Sequence, residues 1–174
     1  ITLKPQSAYN IEPAIEDGLT FLENALIKAR HASKNSGHAA IADDSGLVIP
    51  ALDGEPGLLS ARYAGEDSNF QKNIALVLKK LSMLKQRPPY HAKFICALVY
   101  LRIWNDPLPI WAIGEWNGNI CEEKGQHGFG YDPIFFDPIQ KCTAAEMSSD
   151  LKNEISHRGL AMKILLSKLK EELK

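Results

Sequence analysis

Two adjacent carboxylates break the first apolar run of this chain, and that break limits what can be built around it. Ala39-Ala40-Ile41-Ala42 leads directly into Asp43-Asp44-Ser45-Gly46. The apolar stretch predicts a short buried strand. The acids are expected at its carboxyl end, where ligands of open α/β sheets gather. Side chains alternate along a strand, so neighbouring aspartates face opposite ways. If one faces a site, the other faces the supporting structure. A carboxylate so placed can hold Mg²⁺ with its waters or take a proton from an attacking water. The same residues also suit a polar strand-to-turn junction, because Asp forms turns readily.

Around that strand the pattern alternates irregularly between helix and strand. Residues 1–5 read as a strand end, and residues 6–18 as a loop carrying Glu12, Glu16 and Asp17. Thr20 to Glu23 has capping-box spacing and opens a helix with Leu22, Ala25, Leu26 and Ala29 inward. Asn35-Ser36-Gly37 stops it. Leu47-Val48-Ile49 reads as a second short apolar run, and residues 50–66 as a loop rich in Gly and Pro. Asp67 is the expected cap of a second helix, with Phe70, Ile74, Val77, Leu78 and Leu81 on one face. Residues 90–102 predict a long strand, apolar enough from Phe94 to Leu101 to be buried on both faces. After a turn at Asn105-Asp106-Pro107, Ile110 to Ile113 is the expected hairpin partner. A further short strand is expected near Asn119-Ile120-Cys121, then a glycine-rich loop and a strand over 131–136 interrupted by Pro133. The remainder reads as helical, with Ala161, Ile164, Leu165 and Leu169 inward. These elements predict an α/β protein with a mixed sheet and flanking helices.

A chain of 174 residues with 45% hydrophobic content fits one domain over 1–174, with room for two lobes. Its formal net charge of −1 gives no bulk attraction to nucleic acid or to an anionic membrane, so an anionic ligand must be met by a local basic cluster. No apolar run is long enough to span a bilayer, and no leader-like segment opens the chain. Cys96, Cys121 and Cys142 are odd in number and far apart, which argues against a disulfide framework and for a reducing, cytoplasmic home. The five histidines show no zinc-ligand spacing.

Two further clusters can carry chemistry. Gly128-Phe129-Gly130-Tyr131-Asp132-Pro133 lets backbone and ring approach a flat ligand, and Phe129 can stack on a nucleobase. An ordinary tight turn with Phe129 packed in the core is the alternative. Ser156-His157-Arg158-Gly159 precedes the last helix, whose free N–H groups and positive dipole end suit an anion or a carbonyl oxygen. A solvated surface pair is the alternative there. Lys28, Lys152 and Glu16 are unremarkable singly. No P-loop, GxGxxG or GxSxG motif occurs.

Taken in order, these segments are more specific than any one alone. Glu16-Asp17-Gly18-Leu19-Thr20-Phe21-Leu22-Glu23-Asn24-Ala25, Ala42-Asp43-Asp44-Ser45-Gly46-Leu47, Pro56-Gly57 with Ser60-Ala61-Arg62-Tyr63, Gly128 to Pro133 and Ser156 to Gly159 together resemble the inosine triphosphate pyrophosphatase family. The resemblance covers essentially the whole chain. It implies an elongated, two-lobed α/β protein, usually a homodimer, with a purine nucleotide in its cleft. The implied reaction is Mg²⁺-assisted hydrolysis of ITP, dITP or XTP to the monophosphate and pyrophosphate. By motif match Asp44 is the implied catalytic carboxylate and Glu16 its metal-site partner. Lys28, Lys152 and Ser45 are the implied phosphate contacts. Phe129 is the implied stacking ring, with Gly130, Tyr131, Asp132, His157 and Arg158 around the base. Family members open with a Ser/Thr-x-Asn-x-x-Lys phosphate loop, and nothing in residues 1–15 matches it. The expectation is therefore an N-terminally incomplete domain, with a non-catalytic nucleotide-binding or interaction protein as the alternative. A pyrophosphatase of modified pyrimidine nucleotides is a third, which the Phe129 to Asp132 cluster with His157-Arg158 disfavours.

Overall fold

The computed structural model describes residues 2–65 and 69–172. Five strands form one sheet in the order β1 (Ala40–Val48), β2 (Tyr90–Leu101), β3 (Ile110–Ile120), β4 (Phe135–Asp137) and β5 (Cys142–Thr143). All described pairings are antiparallel. Among the described residues four α-helices accompany the sheet: α1 (Phe21–Ser36), α2 (Phe70–Ser82), α3 (Ser149–Ile155) and α4 (His157–Glu172). The α/β expectation with flanking helices holds, the mixture lying in helices against a sheet and not in strand direction.

Strand β2 organises the packing. On one face Ala97, Val99 and Leu101 meet Ala25 and Ala29 of α1. On the other, Cys96 and Leu98 meet Ala161 and Leu165 of α4. Phe94 joins a third cluster with Leu47, Trp116, Phe135 and the Ile74, Val77 and Leu81 face of α2. Helices on both sides explain why this strand is apolar without alternation.

Several local expectations need correction. Residues 2–5 form no strand, and a 3₁₀ turn follows over Gln6–Tyr9. Asp67 lies outside the described residues; Asn69 caps α2, its side chain accepting from the Lys72 N–H. The two aspartates lie in the middle of β1, and Leu47-Val48 continues the same strand. Gly46 lets it continue there, since a Cβ would come 2.5 Å from the Gly57 carbonyl oxygen. The two short runs expected over 110–121 are one strand, β3, whose Trp111 and Ile113 face outward at 43% and 39% exposure and mask the alternation. Residues 132–134 make a 3₁₀ turn before β4. Ile164 is 41% exposed, whereas Ala161 and Leu165 are buried as expected.

One contact fixes the last helix. Gly114 of β3 lies under α4 so closely that a Cβ there would stand 2.0 Å from the His157 carbonyl oxygen and 2.5 Å from the Ala161 nitrogen. Both are backbone atoms, so nothing flexible can yield. Gly114→Ala is expected to destabilise the protein by roughly 1–3 kcal/mol or more through overpacking, lowering the melting temperature by at least about 2–4 °C. Calorimetry checks this, with Gly37→Ala at an open helix C-cap of positive φ as a comparison for backbone strain without a clash.

Candidate active site

The first face of the site is built on α1. Thr20 caps the helix by accepting from the Glu23 N–H at 3.1 Å, and the Glu23 carboxylate accepts from the Leu19 N–H at 2.8 Å. This is the reciprocal arrangement that capping-box spacing predicts, shifted by one residue on the return bond. The fixed first turn presents Asn24, and one turn on, Lys28, on the same side. Asn24 accepts from the Gly18 N–H at 2.9 Å and directs its amide toward Asp44 Oδ2 at 3.4 Å. Lys28 Nζ donates to Asp44 Oδ1 at 2.7 Å and lies 3.5 Å from Glu16 Oε2. Glu16, Lys28 and Asp44, distant in sequence, thus form one corner. Burial pushes the Asp44 carboxyl above its ordinary range and the nearby Glu16 charge adds to this, outweighing the opposing hydrogen bond and charge of Lys28. Asn24 contacts Asp44 although no site motif in the sequence marks it. Its trace in the sequence was its place one helical turn before Lys28.

The second face lies across β1. Asp43 and Ser45 alternate with Asp44, so they face the opposite side of the sheet. Ser45 lines a cavity of about 490 Å³ between Phe70 of α2, the 127–132 loop, α3 and the start of α4. Arg158 in the first turn of α4 donates from Nη2 to Asp43 Oδ2 at 2.8 Å. Burial alone would raise the Asp43 carboxyl, but the hydrogen bond and charge of Arg158 outweigh it and hold the group below its ordinary range.

Phe129 stands over this cavity at 59% exposure. Phe70 meets it edge-on at 6.5 Å, the Lys152 ammonium lies 5.0 Å from its ring centre, and the Arg158 guanidinium 5.9 Å. Asp132 shapes the loop beneath: its carboxylate accepts from the Phe129 N–H at 2.6 Å and pairs with Lys152. Gly128 has φ +82°, and a Cβ there would come 2.2 Å from that carboxylate. Gly130, at φ +65°, continues the turn. Tyr131 lines the cavity but is buried, its hydroxyl donating to the Ser60 carbonyl at 2.9 Å. Phe129 is therefore a displayed ring, not a core residue, and Tyr131 is part of the wall.

The structure brings Ser45, Phe129, Gly130, Tyr131, Asp132, Lys152, His157 and Arg158 to one cavity, whose lining does not include Asp44, Glu16 or Lys28. The expected residues fall into two groups on opposite faces of one strand. Among the described residues no group of three or more His, Cys, Asp or Glu converges as a metal cluster, and no helix is long and apolar enough to cross a membrane.

His157 differs from the exposed ligand that its neighbour Arg158 suggests. Its ring stacks on Phe94 at 4.8 Å with a 15° interplanar angle and runs parallel to Trp116 at 6.4 Å. It is 7% exposed, and its Nδ1 is buried without a hydrogen-bond partner. Burial, reinforced by the charges of Arg158 and Lys152, lowers its pKa to about 3. The imidazole is therefore neutral at physiological pH. A folded pKa below the unfolded value means that the unfolded chain binds the proton more readily. Stability supplied by the neutral ring is thus complete above about pH 6.5 and is lost as pH falls toward 3. NMR is expected to show no His157 titration between pH 8 and 5. His157→Phe is expected to flatten the stability loss between pH 6.5 and 5, read from denaturant melts; an unchanged slope would count against a neutral buried ring.

Comparison with known proteins bears on family and fold. The profile of the Ham1 family matches residues 2–168. The chain is 50% identical over 174 residues to the dITP/XTP pyrophosphatase of Shewanella oneidensis, covering 99% of this chain and 83% of that protein. It is 53% identical over 165 residues to the dITP/XTP pyrophosphatase of Haemophilus influenzae, covering 94% and 84%. A Ham1 protein from Coxiella burnetii superposes with a TM-score of 0.91 at 45% identity, over 96% of this chain and 85% of that one. The Staphylococcus aureus Ham1 protein does so with 0.86 at 39% identity, over 96% and 85%. With its family profile matched along almost its whole length and the same fold in its relatives, the chain belongs to the Ham1 family.

Proposed function

We propose that this protein hydrolyses the non-standard purine nucleoside triphosphates ITP, dITP and XTP to their monophosphates and pyrophosphate, removing them from the nucleotide pool. One observation carries the reading: an acidic corner with a lysine and an aromatic, basic cleft share strand β1 in a chain half identical to proteins named dITP/XTP pyrophosphatase. The same relatives disfavour the non-catalytic alternative.

In this proposal the base enters the cleft and stacks on Phe129. Arg158 donates to O6 and N7, the acceptors that hypoxanthine and xanthine present and that adenine replaces at position 6 with an amino group. Neutral His157 and the wall of Gly130, Tyr131 and Asp132 bound the base. Lys152, Ser45 and Lys28 meet the phosphate charge, Lys28 and Lys152 by exchanging their present carboxylate partners for phosphate oxygens. A water attacks the α-phosphorus, the bond to the bridging oxygen breaks, and pyrophosphate leaves. Asp44 takes the water's proton, a role suited to a carboxyl whose pKa burial has raised.

The donor set of the acidic corner fits a hard divalent cation. Glu16 and Asp44 offer carboxylate oxygens to the shared Lys28 ammonium, and oxygen ligands with retained waters are what Mg²⁺ takes. Bound there, Mg²⁺ would supply charge neutralisation at the phosphates. A homodimer working in the cytoplasm completes the proposal: the three unpaired cysteines suit a reducing compartment, and the homodimer is what the family resemblance of the sequence implies.

Asp44→Asn keeps the shape of the side chain and removes its charge. ITP turnover is expected to fall by two orders of magnitude or more, a general-base contribution being typically about 10²–10⁴-fold, while the melting curve persists. Near-normal turnover would move the base elsewhere. Phe129→Ala is expected to weaken ITP binding by roughly 1–3 kcal/mol without a matching fall in kcat. Arg158→Ala is expected to narrow the preference for ITP over ATP. A pyrophosphate-release panel over ITP, XTP, GTP, ATP and dUTP tests the substrate class, and strongest activity on dUTP would sink the purine reading.

A further inference from the structure

Asp43 has no part in the reaction as derived above, yet it is tied to the base cleft more firmly than a surface carboxylate needs to be. Arg158 donates to one oxygen of Asp43, Oδ2, from both Nη2 at 2.8 Å and Nε at 3.3 Å. Ser45 Oγ donates to the same oxygen at 3.1 Å. The carboxylate is therefore held from its own strand while it holds the guanidinium. The two residues stand 115 positions apart, so the pair also joins β1 to the first turn of α4. The side chains are 46% and 37% exposed, a setting in which an isolated ion pair adds little to stability. A role in the fold alone does not account for the arrangement.

Chemistry at the other end of the guanidinium does. Arginine has five N–H donors in one rigid plane. Asp43 takes the Nε–H and one Nη2–H, leaving the Nη1 pair and one Nη2–H. That plane lies 5.9 Å from the centre of the exposed Phe129 ring. Left unheld, a long arginine side chain samples many rotamers and must be ordered when ligand arrives. Held beforehand, it meets the ligand already in place.

We propose that Asp43 is a positioning residue for base selection: it fixes the Arg158 guanidinium beside the Phe129 ring, reserving its remaining donors for the acceptors of a 6-oxopurine. This rests on the reading of the cleft as a purine site. Asp43 touches neither the base nor the phosphates. It acts through Arg158, while its neighbour Asp44 faces the corner on the other side of the strand. One dipeptide thus serves base choice on one face and hydrolysis on the other.

The test measures kcat and KM for ITP and ATP in wild type, Asp43→Asn, Arg158→Ala and the double variant. Asp43→Asn is expected to reduce the ITP-to-ATP ratio of kcat/KM by roughly tenfold, in line with the discrimination a well-placed arginine supplies, mainly through a higher KM for ITP. In the Arg158→Ala background the same change is expected to do nothing further, because the two act as one unit. A wild-type ratio in Asp43→Asn, or an equal loss in both backgrounds, overturns the proposal. Nitrogen-15 NMR of the Arg158 side chain in the unmodified protein gives a measurement that needs no variant to fold. Restricted rotation of the guanidinium in the free protein is expected, and free rotation overturns the hold by Asp43. A wild type with no preference for ITP over ATP would instead defeat the purine reading, leaving the NMR result to speak for the Asp43–Arg158 hold alone.

Discussion

Burial of β2 on both faces is the constraint from which the rest of the structure follows. An apolar strand with Ala97, Val99 and Leu101 on one side and Cys96 and Leu98 on the other needs a cover on each. Helix α1 supplies one and α4 the other. Strand β1 pairs with β2 throughout its length, Asp43 opposite Leu98 and Asp44 opposite Ala97, so it inherits the same two environments. Asp44 meets Lys28 on α1 and Asp43 meets Arg158 on α4. The strand pleat, and not a loop, separates the two halves of the site.

Each of the three cations in the site has a carboxylate partner before any ligand arrives. Lys28 is shared by Asp44 and Glu16, Lys152 pairs with Asp132, and Arg158 pairs with Asp43. A cationic side chain partly withdrawn from water needs such partners, since burying an unpaired charge is costly. In the proposed reaction a triphosphate competes for the two lysines, because charge-assisted bonds to phosphate oxygens match those to carboxylates in kind. The cations nearest the cleft are thereby kept in place without a net positive field, consistent with a chain whose formal net charge is −1.

Glycine does the structural work where backbones must touch. Gly114 admits α4 against β3, and Gly118 admits Phe135, whose ring a Cβ would meet at 2.6 Å. Without the first of these, the helix start bearing His157 and Arg158 could not approach the sheet. His157 then completes the aromatic packing with Phe94 and Trp116. A residue that resembles a ligand by its place beside Arg158 is thus half packing, with a ring kept neutral by burial.

The order of the motifs alone was enough for the family resemblance, and local chemistry was enough for several elements. The Thr20 cap, the Gly37 stop, the long strand, expected over 90–102 and found over 90–101, and the α2 face apart from the 37% exposed Phe70 follow from spacing and side-chain type, because those depend on neighbours within a turn or a pleat. Asp43 and Asp44 could be assigned to opposite faces for the same reason. What each face would meet could not. The single strand β3 was hidden by outward Trp111 and Ile113, and the role of Asn24 by its ordinary helical setting. The ion pairs of Asp44 with Lys28 and of Asp43 with Arg158 join residues 16 and 115 positions apart. Such contacts are set by helices docking on a shared sheet. Only the tertiary structure decides which cation stands opposite which carboxylate, because that depends on distance in space, which spacing along the chain does not encode.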